Sequence, residues 1–133
     1  NIEGKPRVWN TGEPFEMIAQ KFAPLISKPL PLSATVMKAL KLTKDYRTEY
    51  DHYMLNIHDK MKLSEEYQKN SPKENIEFPA GSVWIVFSDS TSHAALSGKG
   101  LLEQTLYLHT DKMQNPKYSP LIILEKILKR KLI

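Results

Sequence analysis

Residues 78–108, FPAGSVWIVFSDSTSHAALSGKGLLEQTLYL, decide how the fold is read. Pro79-Ala80-Gly81 spells a tight turn, because proline presets φ and glycine is free to take a positive φ. Ser82–Phe87 then reads as a strand. Val83, Ile85 and Phe87 fall on one face, Trp84 and Val86 on the other, so both faces are predicted to be buried. Ser88-Asp89-Ser90-Thr91 breaks the run. His93 follows, and its small neighbours Ala94 and Ala95 leave room for a metal or ligand to approach. Gly98-Lys99-Gly100 turns the chain into a second predicted strand, Leu101–Leu108. Leu102, Gln104, Leu106 and Leu108 share one of its faces; Glu103, Thr105 and Tyr107 share the other.

Working outward, the N-terminal side begins at Asn1-Ile2-Glu3-Gly4-Lys5-Pro6, without a methionine. Arg7–Asn10 reads like the middle of a sheet, so the expectation is an internal start within a larger fold. Thr11-Gly12 reads as a turn. Glu13-Pro14 opens a helix over 14–22, with Phe15, Ile18, Ala19 and Phe22 at helical spacing. Pro24, Pro29 and Pro31 make 23–32 an irregular connector. Ser33 or Thr35 can cap a short helix through Met37 and Leu40. A long helix is predicted from about Asp45 to Asn70, with Tyr46, Tyr50, Tyr53, Met54, Ile57, Met61 and Tyr67 on its apolar face. Ser71-Pro72 ends it. On the C-terminal side, 109–118 is polar and irregular. Ser119-Pro120 starts a last helix with an apolar stripe of Leu121, Leu124, Ile127, Leu128 and Leu132. Its end is loaded with Lys126, Lys129, Arg130 and Lys131, which the helix dipole favours.

Composition narrows the classes. The 133 residues suffice for one domain with a real core, and 41% hydrophobic with 26% charged is an ordinary globular mixture. The absence of cysteine excludes disulfides and thiolate metal sites. No apolar run reaches the roughly 18 residues of a membrane span. A net charge of +4 permits anionic partners but is no nucleic-acid signature, and no nucleic-acid partner is expected.

The 78–108 stretch closely resembles the Kdo hydroxylase family. So do GKPRVWNTGEPFE at 4–16, YRTEYDHYMLNIHDKMK at 46–62 and SPLIILEKILKRKLI at 119–133, so the likeness runs along nearly the whole chain. The resemblance implies an Fe(II)- and 2-oxoglutarate-dependent dioxygenase that hydroxylates 3-deoxy-D-manno-oct-2-ulosonic acid (Kdo) at carbon 3 in the lipopolysaccharide inner core. It implies an α+β fold: part of a double-stranded β-helix, a cupin-like jelly roll with flanking helices whose N-terminal strands lie outside the chain. Residues 1–133 would then be a single domain, the C-terminal part of a larger catalytic domain.

Such enzymes hold iron by a His-x-Asp pair and a distal histidine, a facial triad that leaves open positions for co-substrate and dioxygen. His93 matches the distal histidine. The pair lies upstream in the family, before the segment resembling GKPRVWNTGEPFE, so the isolated chain is expected to bind neither Fe(II) nor 2-oxoglutarate and to be inactive. His109-Thr110-Asp111 spells the pair but stands after His93, in the wrong order, and His52 and His58 read as packing or surface residues. The far carboxylate of 2-oxoglutarate needs a cation. Related folds often carry one about ten residues past the distal histidine, where this chain has Leu101–Thr105 and none. Arg7 is the first candidate, since guanidinium grips carboxylate bidentately; Lys99 is second, and Gln104 could donate a hydrogen bond. Ser92 and Ser97 rank lower, and Trp84 reads as packing.

The resemblance implies a Kdo-lipid A-type glycolipid as substrate. It also implies a cytoplasmic, bacterial protein, with peripheral contact at the inner membrane of a Gram-negative cell through 120–133. That helix has a plainer reading, that its leucines pack on the catalytic barrel. Two other classes stay open: a non-catalytic jelly-roll module binding carbohydrate or lipid, and a helical interaction domain presenting the 45–70 helix. The sequence does not set the oligomeric state.

Overall fold

The computed structural model describes residues 4–30, 39 and 47–133. Strand β1 (Arg7–Pro14) leads into helix α1 (Phe15–Phe22) and a 3-10 turn at Ala23–Leu25; α2 (Glu49–Leu63) and α3 (Glu65–Asn70) lead to β2 (Glu74–Phe78). A second 3-10 turn at Ser88–Ser90 precedes β3 (Thr91–Ser97), and the last helix is α4 (Pro120–Leu128). The sheet runs β2-β1-β3, antiparallel throughout, with β1 in the centre.

Helices α2, α3 and α4 each start on a side-chain cap. Thr48 caps α2: its hydroxyl accepts from the Asp51 amide at 3.1 Å, and the Asp51 carboxylate accepts from the Thr48 amide at 2.9 Å. Ser64 ends α2 and caps α3, accepting from the Tyr67 amide at 3.2 Å. The predicted long helix is therefore two helices, and its expected start at 45–46 lies outside the described residues, as does the short helix expected at 33–40. Ser119 caps α4 as expected, accepting from the Ile122 amide at 3.2 Å.

The core is helical. Phe15, Ile18, Ala19 and Phe22 of α1 meet Tyr53 and Ile57 of α2, Tyr67 of α3, and Ile123 and Leu124 of α4, with Ala23, Ile26 and Leu132 completing it. The α1 face is the one the spacing predicts. The α4 stripe is packed inward and includes Ile123, which the i, i+3, i+4 reading passes over. The end of α4 is tied to α2: the Arg130 guanidinium pairs with Glu49, donates to the Tyr53 hydroxyl at 3.2 Å and sits over the Tyr53 ring.

The strands depart from expectation. Thr11-Gly12 is not a turn; β1 runs on to Pro14 and its ladder with β3 bulges between Thr11 and Pro14. Residues 74–78 form β2, a strand the sequence reading does not include. His93 lies inside β3, not in a break between strands. Neither Ser82–Phe87 nor Leu101–Leu108 forms a ladder among the described residues. Val83 is 94% exposed and Ile85 98%, so that face of 82–87 is not buried as predicted; on the other, Trp84 is half-buried and Val86 exposed, and in the second run Leu102 is 99% exposed. Apolar alternation marks a segment fit for a sheet, but its hydrogen bonds need a partner elsewhere in space.

Three substitutions test this packing. Leu124 is wholly buried, and Leu124→Ala is expected to lower unfolding free energy by about 2–5 kcal/mol in a denaturant titration. Gly98 has φ +123°, and a Cβ there would stand 2.9 Å from the Cβ of Arg7; Gly81 has φ +80° with nothing within 4 Å. Both alanines incur the positive-φ cost of about 1–2 kcal/mol, but Gly98→Ala also has to push the β1 backbone aside. It should therefore lower the melting temperature clearly more than Gly81→Ala; equal losses would show that Gly98 does not set the approach to Arg7.

Candidate functional site

Strand alternation sorts the side chains of the sheet into two sets. Arg7, Trp9 and Thr11 of β1 stand on the same face as Ile76 and Phe78 of β2 and as His93 and Ala95 of β3, through the pairs Arg7↔Phe78, Trp9↔Ile76, Trp9↔Ala95 and Thr11↔His93. Asn10 and Gly12 take the other face, with Asn75, Ala94 and Ser92.

The His93 ring is stacked on Trp9, centroids 5.1 Å apart and planes 13° apart. Trp9 meets Phe78 and Trp84 edge-on at 5.7 and 6.1 Å, and those two stack on each other at 4.3 Å. Trp84 is packing, as read, but its packing supports the ring beneath the imidazole. Nδ1 of His93 lies 3.2 Å from the Thr91 carbonyl oxygen. A carbonyl only accepts, so this bond puts the proton on Nδ1 and leaves the Nε2 lone pair available. That is the usual arrangement of a metal-ligating histidine.

Two further atoms on this face call for a ligand. Nε of Arg7 and Nε1 of Trp9 are buried and have no hydrogen-bond partner among the described residues. Both can only donate, so they suit the oxygens of a carboxylate. The residues present therefore fit one nitrogen ligand of an iron centre and part of a cradle for a dicarboxylate. They do not make a full ligand set: among the described residues no three His, Asp or Glu side chains stand together as a metal site.

The other candidates fall apart from one another. Lys99 is exposed in the turn after β3, next to Gly98, which packs on Arg7. Gln104 is exposed in the 101–109 stretch, outside any ladder. Ser92 and Ser97 stand on β3, Ser97 paired with Val8 and Ser92 against Gly12. His52 packs edge-on against Tyr53 and meets the Ser27 carbonyl at 3.0 Å; His58 pairs with Asp59 at the surface. His109 precedes the 3-10 turn Thr110–Lys112, where Asp111 pairs with Lys112 at 3.0 Å. Sequence reasoning missed Trp9 as the platform for His93. Its signal was available, since Arg7 and Trp9 are two apart on one predicted strand, but which face His93 joins depends on the β1–β3 register.

Residues 1–131 match the family model described as 3-deoxy-D-manno-oct-2-ulosonic acid (Kdo) hydroxylase. Crystal structures of the Kdo hydroxylase KdoO, a non-heme Fe(II) α-ketoglutarate-dependent dioxygenase, superpose with a TM-score of 0.95 at 48% identity. They include complexes with α-ketoglutarate and Fe(III) and with cobalt(II), and an apo form. The match covers 100% of this chain and 45% of theirs, so the chain spans less than half the length of these solved relatives. No curated protein matches. With its mixed helices and antiparallel sheet, and with the family match extending over almost every residue, this chain belongs to the Kdo hydroxylase family.

Proposed function

We infer that this chain supplies the distal iron ligand, His93, and part of the 2-oxoglutarate cradle of a dioxygenase that hydroxylates Kdo at carbon 3 in a lipid A-linked glycolipid. The observation that carries the reading is the sharing of one sheet face by His93, with Nε2 available, and the orphaned donors of Arg7 and Trp9. Iron with 2-oxoglutarate and dioxygen would supply the oxidising power for breaking a C–H bond. The chain's own residues do the placing. The Thr91 carbonyl holds the proton on Nδ1, Trp9 fixes the plane of the imidazole, and the Trp9–Trp84–Phe78 cluster keeps water from one side of it. Arg7 would grip the far carboxylate, aided by the Trp9 indole N–H.

The rest of the site would come from polypeptide matching the other part of the solved relatives. We read the fold as one part of a jelly roll. Val83, Ile85, Leu102, Leu106 and Tyr107, all at least 80% exposed, are the side chains that additional barrel strands would cover. A contact with an anionic membrane through 120–133, at the cytoplasmic side of the inner membrane, would use Lys126, Lys129 and Lys131, since Ile123, Leu124 and Leu132 are packed inside.

The test uses the intact protein. His93→Ala should lower the conversion of 2-oxoglutarate to succinate by ~100-fold or more and abolish the visible absorption of bound Co(II). Arg7→Ala should raise the KM for 2-oxoglutarate about tenfold or more while Co(II) binding stays unchanged. Full activity in His93→Ala would remove the reading; no succinate formation by the unsubstituted intact protein would favour the non-catalytic module.

A further inference from the structure

The opposite face of the same sheet carries a second feature. A cleft of about 150 Å³ opens between β1–β3 and the α2–α3 pair. Asn10, Gly12, Ser92 and Ala94 line its sheet side; His58, Lys62, Tyr67, Ser71 and Lys73 are prominent on the helical side. Two lysines and two histidines, His58 and His93, line it, with no carboxylate among the described lining residues. Glu13, beside the Tyr67 hydroxyl, is buried and already closed by Lys21, whose ammonium donates to both carboxylate oxygens at 2.7 and 2.8 Å.

Tyr67 gives the cleft its purpose. The residue is 8% exposed, yet its hydroxyl has no hydrogen-bond partner among the described residues. Burial raises its pKa, the neighbouring Ser92 hydroxyl works against this, the Glu13 carboxylate adds to it and Ser71 opposes it weakly, with a net rise, so at neutral pH it is an O–H donor. A buried hydroxyl without a partner costs about 1–3 kcal/mol unless something bonds to it. The Ser71 and Ser92 hydroxyls and the Asn10 amide are further donors around the same space. The Lys73 ammonium bonds the Gln68 carbonyl, which leaves two of its three N–H groups to give. Gly12 keeps the floor open, since a Cβ there would stand 2.4 Å from the Ser92 hydroxyl oxygen.

We propose that this cleft, one wall of which is β3 at Ser92, His93 and Ala94, is a binding site for a compact oxyanion held by Lys62, Lys73 and the Tyr67 hydroxyl. A phosphate and the carboxylate of a sugar acid share the needed chemistry, several lone pairs and a negative charge. The space admits such a group and no whole glycolipid, so the anion would be one end of a larger ligand or a free ion. Because His93 also lines the cleft, its separation from the His93 reading rests on Lys62 and Lys73, which belong to the helical side alone.

The experiment is an NMR titration of the intact, metal-free protein, following the amides of Ser71, Ser92 and Ala94. Sodium phosphate and free Kdo are the two probes, each balanced with sodium chloride at constant ionic strength. Saturable shifts are expected with at least one. Saturation by phosphate alone would assign a phosphate, saturation by Kdo alone a sugar carboxylate, and either supports the site. The Lys62→Gln/Lys73→Gln double variant should weaken binding about tenfold or more, and Tyr67→Phe about threefold or more. Both lysines are exposed, so the double variant decides the matter even if Tyr67→Phe fails to fold. No saturable shift with either probe, equal shifts with chloride alone, or undiminished affinity in the double variant would overturn the proposal.

Discussion

Strand β1 is hydrogen-bonded along both edges, and its pairing of Thr11 with His93 decides which side chains share a face. A slip of one residue would carry His93 from the Trp9 face to the helical face, because the side-chain period of a strand is two. The imidazole would lose its stacking partner and the Arg7 guanidinium its company. Two irregularities pin the register, one between Val8 and Trp9 and one between Thr11 and Pro14. The second is held from the side: the Thr91 hydroxyl donates toward the Gly12 and Glu13 carbonyl oxygens, each at 2.9 Å. A bulge left with unmet carbonyls would be free to migrate; this one is closed by a side chain at the start of β3.

The helices reach the site through that same strand. β1 runs without a break into α1, whose apolar face is the centre of the core. Glu13 sits at the junction, buried, with Lys21 two turns along α1 closing its charge. Breaking that pair from the lysine side would strand a carboxylate next to the Tyr67 hydroxyl, a costly position for a charge. The position of His93 thus depends on contacts far from it in sequence: Phe15 and Phe22 fix α1, α1 fixes the end of β1, and β1 fixes β3.

What could be read from the sequence follows the range of the forces involved. The α1 face, the Ser119 cap with Pro120 behind it and the turn at Gly81 are set by residues within a few positions of each other, and all stand as expected. His93, Trp84 and Arg7 were singled out, but their grouping could not be, since it depends on pairing across more than 80 residues. The runs 82–87 and 101–108 show the limit most clearly. Their alternation is that of strands, yet a strand is defined by its partner, and none of the described residues takes that place. Gly12 misled for the opposite reason. It reads as a turn residue, while in the fold it is there for its missing side chain, so that Ser92 can stand against the β1 backbone.

One sheet therefore separates two polar environments of different character. On the His93 face, the orphaned donors of Arg7 and Trp9 sit among stacked aromatic rings, where a low local dielectric strengthens each hydrogen bond to a carboxylate. On the helical face, Lys62 and Lys73 are exposed, so their attraction for an anion is longer in reach but weakened by salt. Two anionic groups could thus be held at once without sharing a donor, because alternate residues of β1 serve opposite faces. The sheet between them is only one strand-layer thick, and any rearrangement of β1 would be felt on both sides. Asn10 is the residue where such coupling would pass. Its side-chain amide donates to Asn75 at 2.8 Å on the cleft side, while its neighbours Trp9 and Thr11 pack beside His93.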